Sequence, residues 1–187
     1  MKSFDLEPKP WATFCISTYK RPQYLSDQLN SILNQTFQNF SIIICDNDVE
    51  GSGEIVVTGI GDPRIVYHRN QENLGMVKSF NKCLGFAKSE YIIFVTDDDP
   101  VYPEMLEILY DLTLKYPGKG IYFGGNDRSY VNAEMAKASN ERVGVNSQLA
   151  YLNINTIRQF NGDEFLMAYL NNEFGRGILW SAGIVKR

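Results

Sequence analysis

The sequence predicts a layered α/β domain with a mostly parallel central sheet flanked by helices. Three observations predict it. Short apolar runs alternate along the chain with segments whose apolar residues recur at helical spacing. One of the runs, Phe40–Cys45 (FSIIIC), is apolar at nearly every position, as a strand covered on both faces must be. Polar residues gather just after the strand candidates, at Thr18–Arg21, Asp46–Asp48, Arg69–Gly75 and Asp97–Asp99, and ligands of open parallel sheets bind beyond the carboxyl ends of the strands.

Taken in order, Ala12–Ser17 is the first strand. Pro22–Asn34 follows as a helix with Leu25, Leu29, Ile32 and Leu33 on one stripe. Phe40–Cys45 is the second strand and leads into the polar, glycine-bearing loop DNDVEGSG. Glu54–Gly59 is a short helix and Ile65–His68 a short third strand. Asn73 is placed as a helix cap before Met76–Ala87, which repeats apolar residues at Met76, Phe80, Cys83, Leu84 and Ala87. Tyr91–Thr96 is the fourth strand. Pro103 can open the next helix in its first turn, Met105, Leu106, Leu109 and Leu112 form its apolar face, and Pro117–Gly118 ends it. Ile121–Gly124 is a fifth strand. Asp127–Asn155 shows little periodicity and reads as a long loop or flap. Gly162–Leu170 is a helix, and Gly177–Lys186 (GILWSAGIVK) is the last strand.

Composition narrows the function. The chain has 187 residues, 44% hydrophobic and 21% charged, with a net charge of −4. Those values suit one globular domain with a real core, and an acidic balance argues against neutralising a nucleic-acid backbone. The three cysteines, Cys15, Cys45 and Cys83, form no CxxC pair, so no zinc or redox motif is read. Core thiols and the absence of an apolar leader in MKSFDLEPKPW suggest a cytoplasmic protein. No apolar run approaches the ~18 residues of a membrane span. The sole histidine, His68, falls at the end of a strand and is read as structural, against Ser–His–Asp or Cys–His chemistry.

The stretch YIIFVTDDDP then poses a chemical question, because three adjacent carboxylates repel one another. Capping the helix near Pro103 would use one aspartate, not three. If the strand alternation continues, Asp97 and Asp99 point one way and Asp98 the other, with the two outer residues roughly 6.6 Å apart. Two such carboxylates can flank a divalent cation such as Mg²⁺ or Mn²⁺, which takes one or two carboxylates together with substrate phosphates. Asp46, directly after FSIIIC, is a second candidate, since a carboxylate there can accept from the ring N–H of a nucleobase. The competing reading is an Asx-turn, strongest for Asn47 and Asp48.

The run CISTYKRPQYLSDQLNSILNQTFQNFSIIICDND, followed by DPRIVYHRNQENLG and SFNKCLGFAKSEYIIFVTDDDPVYP, resembles the family-2 nucleotide-sugar glycosyltransferases of the GT-A, Rossmann-like fold. The resemblance spans about Ala12 to Pro103. It implies that Thr18, Tyr19 and Arg21 pack around the nucleoside, that Asp46 hydrogen-bonds the base, and that Asn73, Gly75 and Lys78 lie near the nucleotide. It implies that Asp97–Asp99 hold ribose and metal. Under the family's register Asp98 meets ribose and Asp99 the metal; under strand alternation Asp97 and Asp99 share the metal. Asp99 serves the metal in both. The chain departs from the family pattern at Ser17, at Asp46-Asn47-Asp48-Val49 and at Ser89, which leaves substrate details open.

The implied reaction is metal-dependent, inverting transfer of a sugar, with a UDP-sugar favoured, onto a glycan or lipid-linked acceptor in bacterial surface polysaccharide synthesis. It implies work in the cytoplasm at the inner face of the membrane, through peripheral association of regions outside this sequence. Single displacement needs a general base. Members take it from an acid in a later Glu-Asp pair, which does not occur after Asp99, so the base is expected beyond Arg187 and residues 1–187 are expected to bind a nucleotide with Mn²⁺ or Mg²⁺ yet turn over poorly. Glu173 and Asp163 are the nearest stand-ins, although both read first as surface or capping residues. Gly175 and Gly177 around Arg176 can serve an acceptor or a plain turn. Residues 1–187 are read as a single domain, with a nucleotide-sugar part over about 12–103 and an incomplete acceptor part over about 104–187. The alternative from a different class is a non-catalytic sugar-nucleotide-binding module. A nucleotidyltransferase would want a glycine-rich phosphate loop where this chain has STYKRP. A phosphatase using an Asp nucleophile leaves the first-strand and Asp46 loops without a purpose.

Overall fold

A computed structural model of the chain describes residues 9–123, 159, 161, 163, 164, 167 and 183–187. The expected loop at 127–155, the residues Glu173 and Gly175–Gly177, and most of the last strand lie outside the described residues. In chain order the elements are β1 (Ala12–Thr18), α1 (Pro22–Leu33), β2 (Phe40–Asp46), α2 (Glu54–Ile60), β3 (Ile65–Arg69), α3 (Gly75–Phe86), β4 (Tyr91–Thr96), α4 (Met105–Lys115), β5 (Ile121–Phe123) and β6 (Gly183–Lys186). The chain divides into two compact units, one of Met1–Phe123 with Trp180–Arg187 and one of Gly124–Leu179.

The first unit is built on a six-stranded sheet of order β3-β2-β1-β4-β6-β5. β1, β2, β3 and β4 run parallel, whereas β6 is antiparallel to both β4 and β5. β1 lies between β2 and β4, and six of its seven residues are buried, which is why its sequence does not alternate. Its even-numbered side chains, Ala12, Phe14 and Ile16, join a core with Leu25, Leu29 and Ile32 of α1 and Leu106 and Leu109 of α4. Cys15 faces the other way, towards Cys83, Phe80 and Leu84 of α3. The three thiols are buried and unbridged, as small core residues are. At the foot of the sheet Trp11 packs between Phe37, Tyr91 and Tyr110.

Two expected helix starts shift, each for a local reason. Pro103 does not open α4: Met105 begins it, after a turn in which the Met105 N–H donates to the Tyr102 carbonyl (3.1 Å). α3 begins at Gly75, with Leu74 at the cap position. Asn73 sits one residue earlier and accepts from the Gly75 N–H (2.9 Å) in an Asx-turn. Gly75 has a φ of 73°, a left-handed conformation that favours glycine. In the second unit Asp163, Glu164 and Met167 are helical. Asn161 accepts from the Glu164 N–H and Glu164 from the Asn161 N–H, each at 2.9 Å, the reciprocal box that starts a helix. The rest of the expected Gly162–Leu170 helix lies outside the described residues.

Candidate nucleotide site at the strand ends

The parity of the strands brings the first acids together. Thr18 is level with Asp46, and Ser17 with Thr96, so Asp97 arrives level with Thr18 on the face that carries α1. The Thr18 hydroxyl donates to Asp97 Oδ2 at 2.7 Å, and both side chains are buried. Arg21 at the start of α1 closes the group. One of its guanidinium nitrogens pairs with Asp97 Oδ1, and Nη1 donates to Asp98 Oδ2 at 2.8 Å. One cation thus answers two of the three charges.

The expected alternation from Asp97 to Asp99 does not occur. β4 ends at Thr96 and the backbone turns through Asp97 and Asp98, so the period of two stops with the strand. Asp97 and Asp98 share Arg21 as a partner. Asp99 folds back to accept from the Thr96 hydroxyl at 2.8 Å. Nor is an aspartate the cap of α4: the Leu106 N–H goes to Gln35 Oε1 at 2.9 Å.

The second acid loop is anchored from within. Asp46 is fully buried. Its Oδ1 accepts from the Asp48 N–H at 2.8 Å, and its Oδ2 accepts from the Gly53 N–H at 2.9 Å and the Tyr67 hydroxyl at 2.8 Å. The Asx-turn in this loop therefore begins at Asp46 itself, and three of its four lone-pair positions are filled by its own chain. Burial, then the Asp46 carboxylate, pushes the Tyr67 hydroxyl far up, keeping it a donor. A Cβ on Gly53 would sit 2.9 Å from Asp46 Oδ2 and 3.0 Å from Leu25 Cδ2, so only glycine closes the loop this tightly. Asp48 accepts from the Glu50 N–H at 3.2 Å, and its carboxyl is held below the usual range, foremost by the Ser52 side chain.

Asn47 stitches three segments. Its Nδ2 donates to Ser17 Oγ (3.3 Å), and its Oδ1 accepts from Asn70 Nδ2 (3.0 Å) and the Leu74 N–H (3.1 Å). Asn70 in turn accepts from Lys82 Nζ at 2.6 Å. Sequence reasoning missed Asn70, Lys82 and Tyr67 in these roles, because a network across β1, β3 and α3 leaves no spacing signature. The other expected residues surround the acids. Tyr19 is half-exposed with Lys20 Nζ 5.5 Å above its ring. Lys20 is the one non-glycine with positive φ (54°) among the described residues, and such strain collects at functional loops. Asn73 and Lys78 are exposed. Asp163, the stand-in base, is exposed.

The donor set fits a hard divalent cation that keeps ligand positions for phosphate. It is all carboxylate and hydroxyl oxygen, Asp98 is 39% exposed and Asp99 is partly exposed. Asp97 is committed to Thr18 and Arg21 and buries its charge there. Among the described residues no three acid, histidine or cysteine side chains converge on one point.

Comparison with known proteins agrees with this architecture. The family described as "Glycosyl transferase family 2" matches residues 13–171. The abequosyltransferase RfbV of Salmonella typhimurium is 35% identical over 102 residues, covering 52% of this chain and 31% of that protein. Two solved structures share the fold. One is S. aureus TarS 1–349 in complex with UDP-GlcNAc, at 22% identity and a TM-score of 0.56, covering 65% of this chain and 37% of that one. The other is the mannosyltransferase PcManGT from Pyrobaculum calidifontis in complex with GDP-Man and Mn²⁺, at 17% identity and a TM-score of 0.55, covering 65% and 37%. The matched part of this chain spans about a third of the length of these proteins. The fold is GT-A: a mixed, mostly parallel sheet between helices.

Proposed function

Since the chain belongs to glycosyl transferase family 2, we propose that it binds a nucleoside-diphosphate sugar across the carboxyl ends of β1, β2 and β4 and transfers the sugar, with inversion, to an acceptor hydroxyl. The observation that carries this reading is the Thr18–Arg21–Asp97–Asp98 group beside Asp99. It gathers, at the mouth of the sheet, acids that repel unless a cation is near. Thr18, Tyr19 and Arg21 receive the nucleoside, Asn73 and Lys78 flank the nucleotide, and Asp98 meets ribose. Asp46, buried and bonded within its own chain, shapes the base-side loop from beneath. Asp99, with Asp98 or Asp97, holds Mn²⁺ or Mg²⁺. When bound, the cation neutralises charge developing on the departing diphosphate.

A UDP-sugar is the favoured donor. In support, a fold neighbour is known with UDP-GlcNAc, and the Mn²⁺ in a second neighbour, which holds GDP-Man, supports the divalent cation rather than the choice of base. The proposed acceptor is a glycan or lipid-linked glycan of a bacterial surface polysaccharide, and the proposed place of work is the cytoplasm at the inner face of the membrane. Among the described residues no helix is long and apolar enough to cross a membrane.

A thermal-shift panel of UDP, GDP, CDP and dTDP, with and without Mn²⁺, tests the site. One nucleotide is expected to raise the melting temperature more with Mn²⁺ than without, because a ligand stabilises by RT ln(1 + [L]/Kd). Asp99→Asn is expected to weaken the Mn²⁺-dependent part by about tenfold or more in Kd. Equal shifts in parent and variant would overturn the assignment.

A further inference from the structure

The segment Ser31–Thr36 (SILNQT), at the end of α1, has no place in the nucleotide site as described, yet it holds the backbone that follows the acids. The Val101 N–H donates to Ser31 Oγ at 3.1 Å. Gln35 Nε2 donates to the Tyr102 carbonyl at 2.6 Å, and its Oε1 accepts from the Leu106 N–H at 2.9 Å. The Thr36 N–H donates to the Pro103 carbonyl at 2.8 Å, and its hydroxyl to Glu107 Oε2 at 2.7 Å. Four backbone groups between Val101 and Leu106 are thereby held by one helix end. The connection needs such a device. It contains Pro100 and Pro103, which donate no backbone hydrogen bond, and α4 has no capping side chain of its own. Gln35 is 1% exposed, so its two bonds are shielded from water.

We propose that Ser31, Gln35 and Thr36 are positioning residues for the metal-bearing loop, and that Gln35 is the chief of them. Asp99 lies two residues before the first clamped amide. It is fixed at the other side by β4, whose Thr96 it contacts. Between those anchors the backbone that carries the carboxylate is tied at both sides, and ligands held in advance cost less to order on binding. The same helix bears Arg21 at its start, so α1 sets Asp97 and Asp98 from one end and the Asp99 loop from the other. This inference rests on the reading of Asp99 as a metal ligand.

The test uses the full chain and the variants Gln35→Met, Gln35→Glu and Ile32→Val. Mn²⁺ binding is followed by electron paramagnetic resonance of the free ion in the presence of UDP or GDP, and nucleotide binding without metal by calorimetry. Both Gln35 variants are expected to raise the Mn²⁺ Kd by about tenfold while metal-free nucleotide affinity stays within about twofold. Ile32→Val, a core substitution in the same helix, is expected to lower the melting temperature and leave Mn²⁺ affinity unchanged. Should the Gln35 variants not fold, Ser31→Ala carries the same expectation at about threefold. Gln35 or Ser31 variants that fold and hold Mn²⁺ as tightly as the parent overturn the inference and leave the site reading standing. A parent that takes up no Mn²⁺ with either nucleotide overturns both.

Discussion

Thr18 shows how one side chain accommodates a buried carboxylate. Asp97 is almost wholly removed from water, and a buried carboxylate is tolerable only when its oxygens are paired. Thr18 and Arg21 do the pairing. Replacing Thr18 by valine keeps the shape and deletes the donor. It is expected to cost about 1.5–3 kcal/mol, the range for a hydrogen bond to a charged group, read as a lower urea midpoint at unchanged slope. The residue scale is also where the sequence was least legible. The positions of the acids could be read, because they follow an unbroken apolar run. Their partners could not: strand parity places Asp97 opposite Thr18, but it expires at Thr96, and the turn then hands Asp98 to Arg21. For the same reason Asp46 could be marked but not recognised as the hub of three internal hydrogen bonds, since Gly53 and Tyr67 reach it from other segments.

At the scale of elements, β3 and α3 meet through the only histidine. His68 stacks on Phe86 with ring centroids 3.8 Å apart and planes 14° from parallel, and its Nε2 is buried with no hydrogen-bond partner among the described residues. Burial, helped by the Lys82 charge, holds its pKa below the ordinary 6.5. The unfolded chain therefore takes up the proton first as pH falls. Stability is expected to be insensitive to this group above about pH 6.5 and to decline below it, by at most ~1.4 kcal/mol per pH unit, until the folded form protonates too. Chemical denaturation from pH 7.5 to 5 checks this, and His68→Gln should remove that component of the slope. Elements themselves were well forecast. α1 and α3 carry apolar stripes of the right period, and β1, β2 and β4 are apolar on both faces. The starts of α3 and α4 were displaced because an Asx-turn at Asn73 and a turn at Tyr102 intervene, both products of local hydrogen bonding that propensity does not count.

For the whole molecule, the sequence announced a mostly parallel sheet but not where its last strand would enter. GIVK is too short to declare a direction or a neighbour, and β6 slots between β4 and β5, reversing the local sense of the sheet. In that register Phe123 stands opposite Gly183. The chain thus departs and returns through adjacent rungs of one ladder. The two ends of the intervening stretch are held beside each other, and the entropy of closing a connection grows only slowly with its length. A two-residue Asn-Gly turn joining Phe123 to Gly183 would make β5 and β6 an ordinary hairpin. Such a shortened chain is expected to keep the amide exchange protection of β1, β2 and β4 within about tenfold of the parent. With both ends held in one ladder, the sheet of the first unit can stay constant while the intervening stretch is exchanged for another.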